Sequence, residues 1–541
     1  MADPLPAPAD TPSAADVDSE RARAGDALAA VARELESRGA RAGGAAQEVL
    51  EAQAMMAEDP SLADEVESRL AAGKTAERAV YEAFASFRDT LAEMGGYLGE
   101  RAADLDDVAG RIIARLQGVA APGVPEPGHP FVLVARDLAP ADTALLDLDQ
   151  VLALVTSDGG PTSHTAILAR EKGIVAVVGA AGAVDLADGQ TVIVDAAAGA
   201  VTVDPSADDL ADAAERARAH AAAASAPPTA GALSDGTPVP LLANLGKPGD
   251  AEAARALGAE GVGLFRTEFL FLSSDEAPTV AAQRAEYERL LAGFAGTKVV
   301  VRLLDAGADK PLPFLNDSEE ENPALGVRGL RALRSHENIL RDQLTALAEA
   351  DAATRERGEG ADLWVMAPMV ATVEETRYIT ALAREHGIRT AGVMIEIPAA
   401  ALLADRLLAH TDFASIGTND LTQYTMAADR VLGAVAGYQD PWHPAVLRLV
   451  AEVGAAGRAH GKPVGICGEA AADPLLALVL VGLGATTLSM APAALADVRA
   501  LLLTHSLDDA TRVAEAALAA DDATAARAAA TAAASSSPTP A

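Results

Sequence analysis

The amino-acid sequence predicts a multidomain α/β protein: a helical bundle, then a compact α/β domain, then a C-terminal (β/α)8 barrel. Three observations carry that prediction. From about residue 18 to 117, apolar residues recur at three- and four-residue spacings, the period of amphipathic helices. From 118 to 205 the pattern changes to short β-like runs with helical stretches between some of them. From 238 onward strand and helix patterns alternate eight times, and eight such units close a barrel.

Each element follows in order. Residues 1–17 are rich in Pro, Ala and Asp and are expected to be disordered. The helical region 18–117 has breaks at Glu58-Asp59-Pro60, Ala72-Gly73 and Gly95-Gly96. The β-like runs of 118–205 are 131–134, 151–155, 174–178, 192–194 and 201–203. Residues 206–229 form an Ala-, Asp- and Arg-rich helical linker that Pro227 and Pro228 stop. The barrel spans 230–518, with strands expected at 239–245, 261–266, 299–305, 363–369, 392–397, 413–419, 464–469 and 487–490. The Ala/Ser/Thr/Pro-rich tail, 519–541, is expected to be disordered.

Composition excludes several classes. Acidic residues outnumber basic ones 78 to 42, for a formal charge of −36. A nucleic-acid partner needs a basic face, so none is expected, and the acidity serves solubility. The single cysteine, Cys467, excludes an intramolecular disulfide and suits a reducing cytoplasm. The opening segment has neither a basic region nor an apolar run of the signal-peptide type. The longest apolar stretch, around Leu475–Leu483, is too short to span a bilayer. No repeat of fixed period is evident.

The residues that carry chemistry lie in two places. In Gly159-Gly160-Pro161-Thr162-Ser163-His164-Thr165, a strand and a turn lead into a helical pattern, so His164 is expected in the first turn of a helix. The positive dipole end there disfavours imidazolium and keeps a neutral, nucleophilic ring. The free N–H groups welcome an anion bonded to it. An isolated histidine would more readily be a helix cap; the surrounding Gly and hydroxyl pattern favours a phosphoryl carrier. The second place is the barrel, whose active sites lie at strand C-termini. Five predicted strand ends bring polar groups there: Arg266, Arg302, Glu396, Asn419 with Asp420, and Cys467, while Arg430 follows the sixth strand. Arginine forks suit phosphate and carboxylate oxygens. Glu396 and Asp420 are hard oxygen ligands, few in number, as hydrated Mg2+ prefers; salt-bridging to the nearby arginines is the bland alternative. Cys467 taken alone reads as a small buried apolar residue.

The His164 segment resembles the phosphohistidine motif of phosphoenolpyruvate (PEP)-utilising enzymes. From about residue 20 to 515 the chain is similar to the Enzyme I family of the bacterial phosphotransferase system, with MIEIPAA, SIGTNDLTQYT and ICGE among the shared motifs. The resemblance makes 118–205 a phosphohistidine swivel domain and 18–117 the subdomain that docks the phosphocarrier protein HPr. Met55 and Met56, in EAQAMMAEDP, are then either a docking surface or plain core. It also implies Mg2+ as cofactor, held by Glu396 and Asp420, and PEP contacts from Arg266, Arg302, Asn419, Asp420 and Arg430. Cys467 becomes the acid that protonates enolpyruvate to pyruvate. Lys310, in LLDAGADKPL, and Arg328, in ENPALGVRGLR, are weaker candidates for the same site. A homodimer through the barrel is implied too.

One histidine serving two sites implies hinges near 118–128 and 227–238. The short Gly- and Val-containing opening strand usual in such proteins is not evident here, which puts the completeness of the swivel domain in question. A PEP synthase or pyruvate phosphate dikinase-like enzyme is the alternative, but it needs a large nucleotide-binding domain, and no Walker-type loop appears. A regulatory PEP-binding phosphocarrier without turnover is another. A PEP-to-HPr transfer assay separates the three.

Overall fold

The computed structural model describes residues 6–42, 44–94, 102–119, 124–125, 127–136, 138, 146, 150–158, 169, 174–196, 199–225, 228–272, 276–306, 312–315, 320–430 and 432–535. The chain divides into two compact units, Met1–Leu210 and Ala211–Ala541. No helix among the described residues is long and apolar enough to cross a membrane.

The first unit opens with helices α1 (Val17–Ala42), α2 (Gly44–Ala57), α3 (Pro60–Ala71), α4 (Ala76–Met94) and α5 (Ala102–Gln117). Their apolar stripes meet in one core that includes Val31, Leu35, Leu50, Val80, Phe84 and Ile112. The break expected at Glu58-Asp59-Pro60 is a helix start. The Asp59 carboxylate accepts from the N–H groups of Ser61 and Leu62 at 2.8 and 3.2 Å, and Pro60 occupies the first turn, where its missing N–H costs nothing. Such a cap is worth about 1 kcal/mol. Of the two methionines, Met55 is 68% exposed, whereas Met56 packs against the bundle core.

The leader departs from expectation. Residues 8–13 lie along the α3–α4 turn rather than loose. Pro12 bridges Lys74, the Ser13 N–H donates to Gly73 O at 2.9 Å, and Lys74 pairs with Asp10. Arg78 also donates to Pro8 O at 3.0 Å. Polar composition suggested disorder, but these backbone and charged contacts offset the ordering entropy.

Beyond the bundle, strands β1 (Phe131–Ala135), β2 (Val151–Thr156) and β3 (Val175–Val177) form a parallel sheet in that order. Strands β4 (Val192–Asp195) and β5 (Ala200–Val203) form an antiparallel hairpin. All five coincide with the runs expected from sequence. The His164 motif lies outside the described residues. A helix, Ala207–Ser225, follows.

The second unit is built on eight parallel strands: β6 (Leu241–Leu245), β7 (Gly261–Phe265), β8 (Lys298–Arg302), β9 (Asp362–Ala367), β10 (Thr390–Ile395), β11 (Ala414–Ile416), β12 (Val464–Ile466) and β13 (Thr487–Met490). They pair in sequence order, and β13 returns to β6 to close the barrel. Parallel strands covered by helices are buried on both faces, and all five residues of β7 are buried. The tail again departs from expectation. Ala523–Ser535 is a helix with Ala526 and Ala530 fully buried. Alanine favours helix, and its small side chains at i and i+4 allow close packing. Arg527 sits 5.2 Å from the Trp442 ring centroid and 3.7 Å from Asp473, while Arg512 donates to Ala533 O at 2.7 Å.

Candidate active site

The strand order brings the polar strand ends to one mouth of the barrel. Arg302 ends β8, and Glu268 lies in the short helix Glu268–Phe271 just after β7. The Arg302 guanidinium donates to Glu268 Oε1 at 2.7 Å and lies 3.3 Å from Asp305 Oδ2. Arg328 is 3% exposed. It forks onto Asp305, with Nε and Nη2 at 3.2 and 2.7 Å, and reaches Asp420 Oδ1 with Nη1 at 3.0 Å. Arg430 lies 3.3 Å from Asp420 Oδ2. Arg266, next to β7, is half-buried and, among the described residues, has no hydrogen-bond or ion-pair partner for its guanidinium. Burial, then the nearby Arg302 and Arg430 charges, push its pKa below the ordinary arginine value.

The carboxylates divide by surroundings. Burial alone would raise the Asp305 pKa, but Arg328 and Arg302 outweigh it and hold the group below its usual range. Glu396, at the end of β10, is 1% exposed and behaves oppositely. Burial first, then the neighbouring charges of Asp420 and Asp305, push it up to about 8. Its Oε1 accepts the Met369 N–H at 2.7 Å. Met369 follows β9 with φ +56°, an uncommon conformation for a side-chain-bearing residue. Gly417 makes room for the other oxygen, because a Cβ there would stand 2.7 Å from Glu396 Oε2.

Asn419 and Asp420 occupy the first turn of the helix Thr418–Met426. Asn419 Oδ1 accepts the Glu469 N–H at 2.9 Å, tying the ends of β11 and β12. Gly468 permits that approach: its Cβ would fall 1.8 Å from Thr418 Oγ1. Cys467, just after β12, is 2% exposed and sits among Leu264, Val300, Met366, Met394 and Phe413. Burial pushes its thiol up to about 12. Its sulfur lies 3.5 Å from Ile416 O, and its own carbonyl accepts from Asn244 Nδ2 at 3.1 Å.

The arrangement therefore gathers Arg302, Arg328, Arg430, Glu396, Asp420, Asn419 and Cys467, with Arg266 adjoining. Lys310 and His164 lie outside the described residues. The salt-bridging considered for the two acidic residues holds for Asp420 but not for Glu396. Sequence reasoning left Glu268, Asp305 and Tyr424 without roles. Glu268 and Asp305 stand at strand ends, which was signal enough. Tyr424, whose hydroxyl lies 3.2 Å from Arg328 Nη1, carried no signal in the sequence. Among the described residues, buried Arg302 Nε, Glu268 Oε2 and Thr418 Oγ1 have no hydrogen-bond partner, so the mouth has polar capacity left for a ligand.

A divalent cation fits the donor set. Two carboxylates with hard oxygens face one another closely enough to raise the Glu396 pKa, and positive charge between them relieves that repulsion. Among the described residues, no group of three or more His, Cys, Asp or Glu is placed to hold a metal. A cation held by these two carboxylates would take its remaining oxygens from water and substrate, as Mg2+ favours.

Three family models match the chain: PEP-utilising enzyme, N-terminal, over residues 2–101; the mobile domain, over 127–199; and the PEP-binding domain, over 220–507. The chain is 55% identical over 523 residues to the phosphoenolpyruvate-protein phosphotransferase of Streptomyces coelicolor, covering 96% of this chain and 93% of that one. It is 40% identical over 520 residues to the protein of that name from Haloferax volcanii, covering 92% and 90%. For the one from Geobacillus stearothermophilus, identity is 38% over 528 residues, covering 93% and 90%.

Proposed function

The chain belongs to the PEP-utilising enzyme family, and from that premise we propose that it is a phosphoenolpyruvate–protein phosphotransferase. It takes a phosphoryl group from PEP onto His164, releases pyruvate, and passes the group to the phosphocarrier protein HPr, so driving sugar uptake. The observation that carries this reading is the buried Glu396 carboxyl, held beside Asp420 and Asp305 with Arg302 and Arg328 close by, while Arg328 and Arg430 pair with Asp420. Such a site is costly for the free protein and useful only with a ligand that brings compensating charge.

The residues divide the work as follows. Arg266, Arg302 and Arg430 bind and orient the phosphate and carboxylate of PEP, with their charge directed at the transferring group. Arg328 holds Asp305 and Asp420 in place. Asn419 fixes the approach of the β11 and β12 ends. Glu396 and Asp420 are the pair that would hold Mg2+, which supplies positive charge against the PEP oxygens when bound. Asp420 would share its carboxylate between that cation and its arginine partners.

An imidazole nitrogen of His164 attacks phosphorus. The N–P bond forms as the bond to the enol oxygen breaks, leaving the enolate of pyruvate. Cys467 gives its proton to the enolate carbon, and the thiolate recovers a proton from solvent. A thiol pushed up to about 12 stays protonated at neutral pH and so always has that proton to give. In the second step HPr takes the phosphoryl group, and the helical bundle of α1–α5 is its docking site. The resemblance makes Lys310 a further candidate for the same site. The resemblance supports a homodimer through the barrel, and the single, buried, unpaired thiol supports a cytoplasmic location.

Incubation with labelled PEP and Mg2+ tests the reading. Acid-labile phosphate should appear on His164, and His164→Ala should lose transfer to HPr while keeping PEP binding. Label elsewhere in the intact chain, with none on His164, refutes it.

A further inference from the structure

The end of the barrel opposite the mouth carries a second concentration of positive charge. An open cavity of about 250 Å³ lies there, lined by Arg377, Ala381, Arg384, His410, Thr411 and Lys462 among others. Its position is fixed by the fold. His410 and Thr411 precede β11, Lys462 precedes β12, and Arg377 and Arg384 project from the helix Val373–Glu385. These are strand N-termini, so the cavity is no extension of the mouth, which lies at the strand C-termini.

Three features make it a receptor for an anion. First, Arg377, Ala381 and Arg384 fall at i, i+4 and i+7, one face of the helix, and the small Ala381 leaves space between the two long cationic side chains. Second, the charges are preorganised. The Lys462 ammonium donates to Leu408 O and Thr411 O, each at 2.5 Å. The Arg377 Nε and Nη2 both lie on His410 Nε2, at 3.1 and 3.0 Å. A guanidinium only donates, so Nε2 is the acceptor and holds the Arg377 fork in place.

Third, the charge is not cancelled. Among the described residues Arg377 and Lys462 have no carboxylate within ion-pair distance. Arg384 shares Asp412, at 3.3 Å, with the Ala391 N–H, at 2.9 Å. Three cations against one carboxylate leave a local charge of +2 in a chain whose formal charge is −36. Concave walls concentrate such a field, and the acidity of the rest of the chain turns away long polyanions.

We propose that this cavity is a binding site for a small phosphate-bearing metabolite, separate from the PEP site. Paired guanidinium forks with one fixed ammonium match tetrahedral phosphate oxygens better than a single planar carboxylate.

Arginine footprinting with phenylglyoxal on the full-length chain, read by peptide mass spectrometry, tests this with inorganic pyrophosphate as the probe. Labelling of Arg377 and Arg384 should fall at least threefold with pyrophosphate but not with chloride at matched ionic strength, while exposed Arg289 stays unchanged. In calorimetry, Arg377→Gln/Arg384→Gln should lose one pyrophosphate-binding event per chain and keep its PEP-to-pyruvate turnover. Unprotected arginines, or protection by chloride alone, overturn the site. Equal protection by malonate overturns its phosphate selectivity.

Discussion

Replacing Glu396 by Gln should abolish activity and yet stabilise the metal-free protein at alkaline pH. The reason lies in the raised pKa. The carboxyl goes from an ordinary 4.5 to about 8 in the folded chain. Between those values the native state holds a proton that the unfolded state has released. Stability therefore falls as pH rises from about 4.5 to about 8 and is level above that. At about 1.4 kcal/mol per unit, the penalty at pH 8.5 reaches an upper limit of about 5 kcal/mol. Glutamine keeps an acceptor for the Met369 N–H, which lies 2.7 Å from Oε1, and carries no charge to repel Asp420 and Asp305. With half the penalty recovered, about 2–3 kcal/mol, the melting temperature should rise by about 4–6 °C at pH 8.5 in chelator. The gain should shrink towards zero near pH 5. Added Mg2+ should stabilise the parent chain and not the variant, because ligation favours only the state that binds. Thermal unfolding of the full chain across pH 5–9, with and without Mg2+, is the assay. A variant no more stable than its parent at pH 8.5, or equally more stable at pH 5, refutes the reasoning.

Other outcomes follow from the same geometry. Cys467→Ala should slow pyruvate formation about 10²–10⁴-fold, the usual worth of a positioned acid, while phosphoryl exchange between His164 and HPr persists; unchanged steady-state pyruvate formation rejects the proton-donor role. Gly468→Ala brings a methyl to 1.8 Å from Thr418 Oγ1, so kcat/KM for PEP should fall at least tenfold, and wild-type kinetics would show that the β11–β12 approach does not set the site. Arg328→Gln strips two buried carboxylates of their shared partner and should cost about 3–5 kcal/mol in denaturant unfolding; a loss under 1 kcal/mol contradicts it. Residues 1–228 alone should accept phosphate from phosphorylated HPr without reacting with PEP, and a fragment folded by circular dichroism that cannot do so contradicts the docking role of the bundle.

Much of the architecture was legible in the chain itself, because hydrophobic period is a local property. A five-residue run such as Gly261–Phe265, buried throughout, announces a parallel strand wherever it lies, and eight such runs alternating with helices leave few folds other than a barrel. Composition read as local order was less dependable. The tail has no apolar stripe of large residues, and only its packing of Ala526 and Ala530 against neighbouring helices makes it structured. The leader likewise owes its path to Lys74 and Arg78, more than 60 residues away in sequence.

The sequence by itself determined which side chains stand at strand ends and hence which chemistry the mouth can offer: arginines, two carboxylates, an amide and a thiol. Only the tertiary structure decided their states. Asp305 is held low and Glu396 pushed up to about 8 within one cluster, because Arg328 forks onto one carboxylate, whereas burial and the charges of Asp420 and Asp305 prevail at the other. Spacing along the chain cannot report that difference. A pKa depends on burial and on charges brought within a few ångströms by strands far apart in sequence, and those distances exist only once the barrel closes.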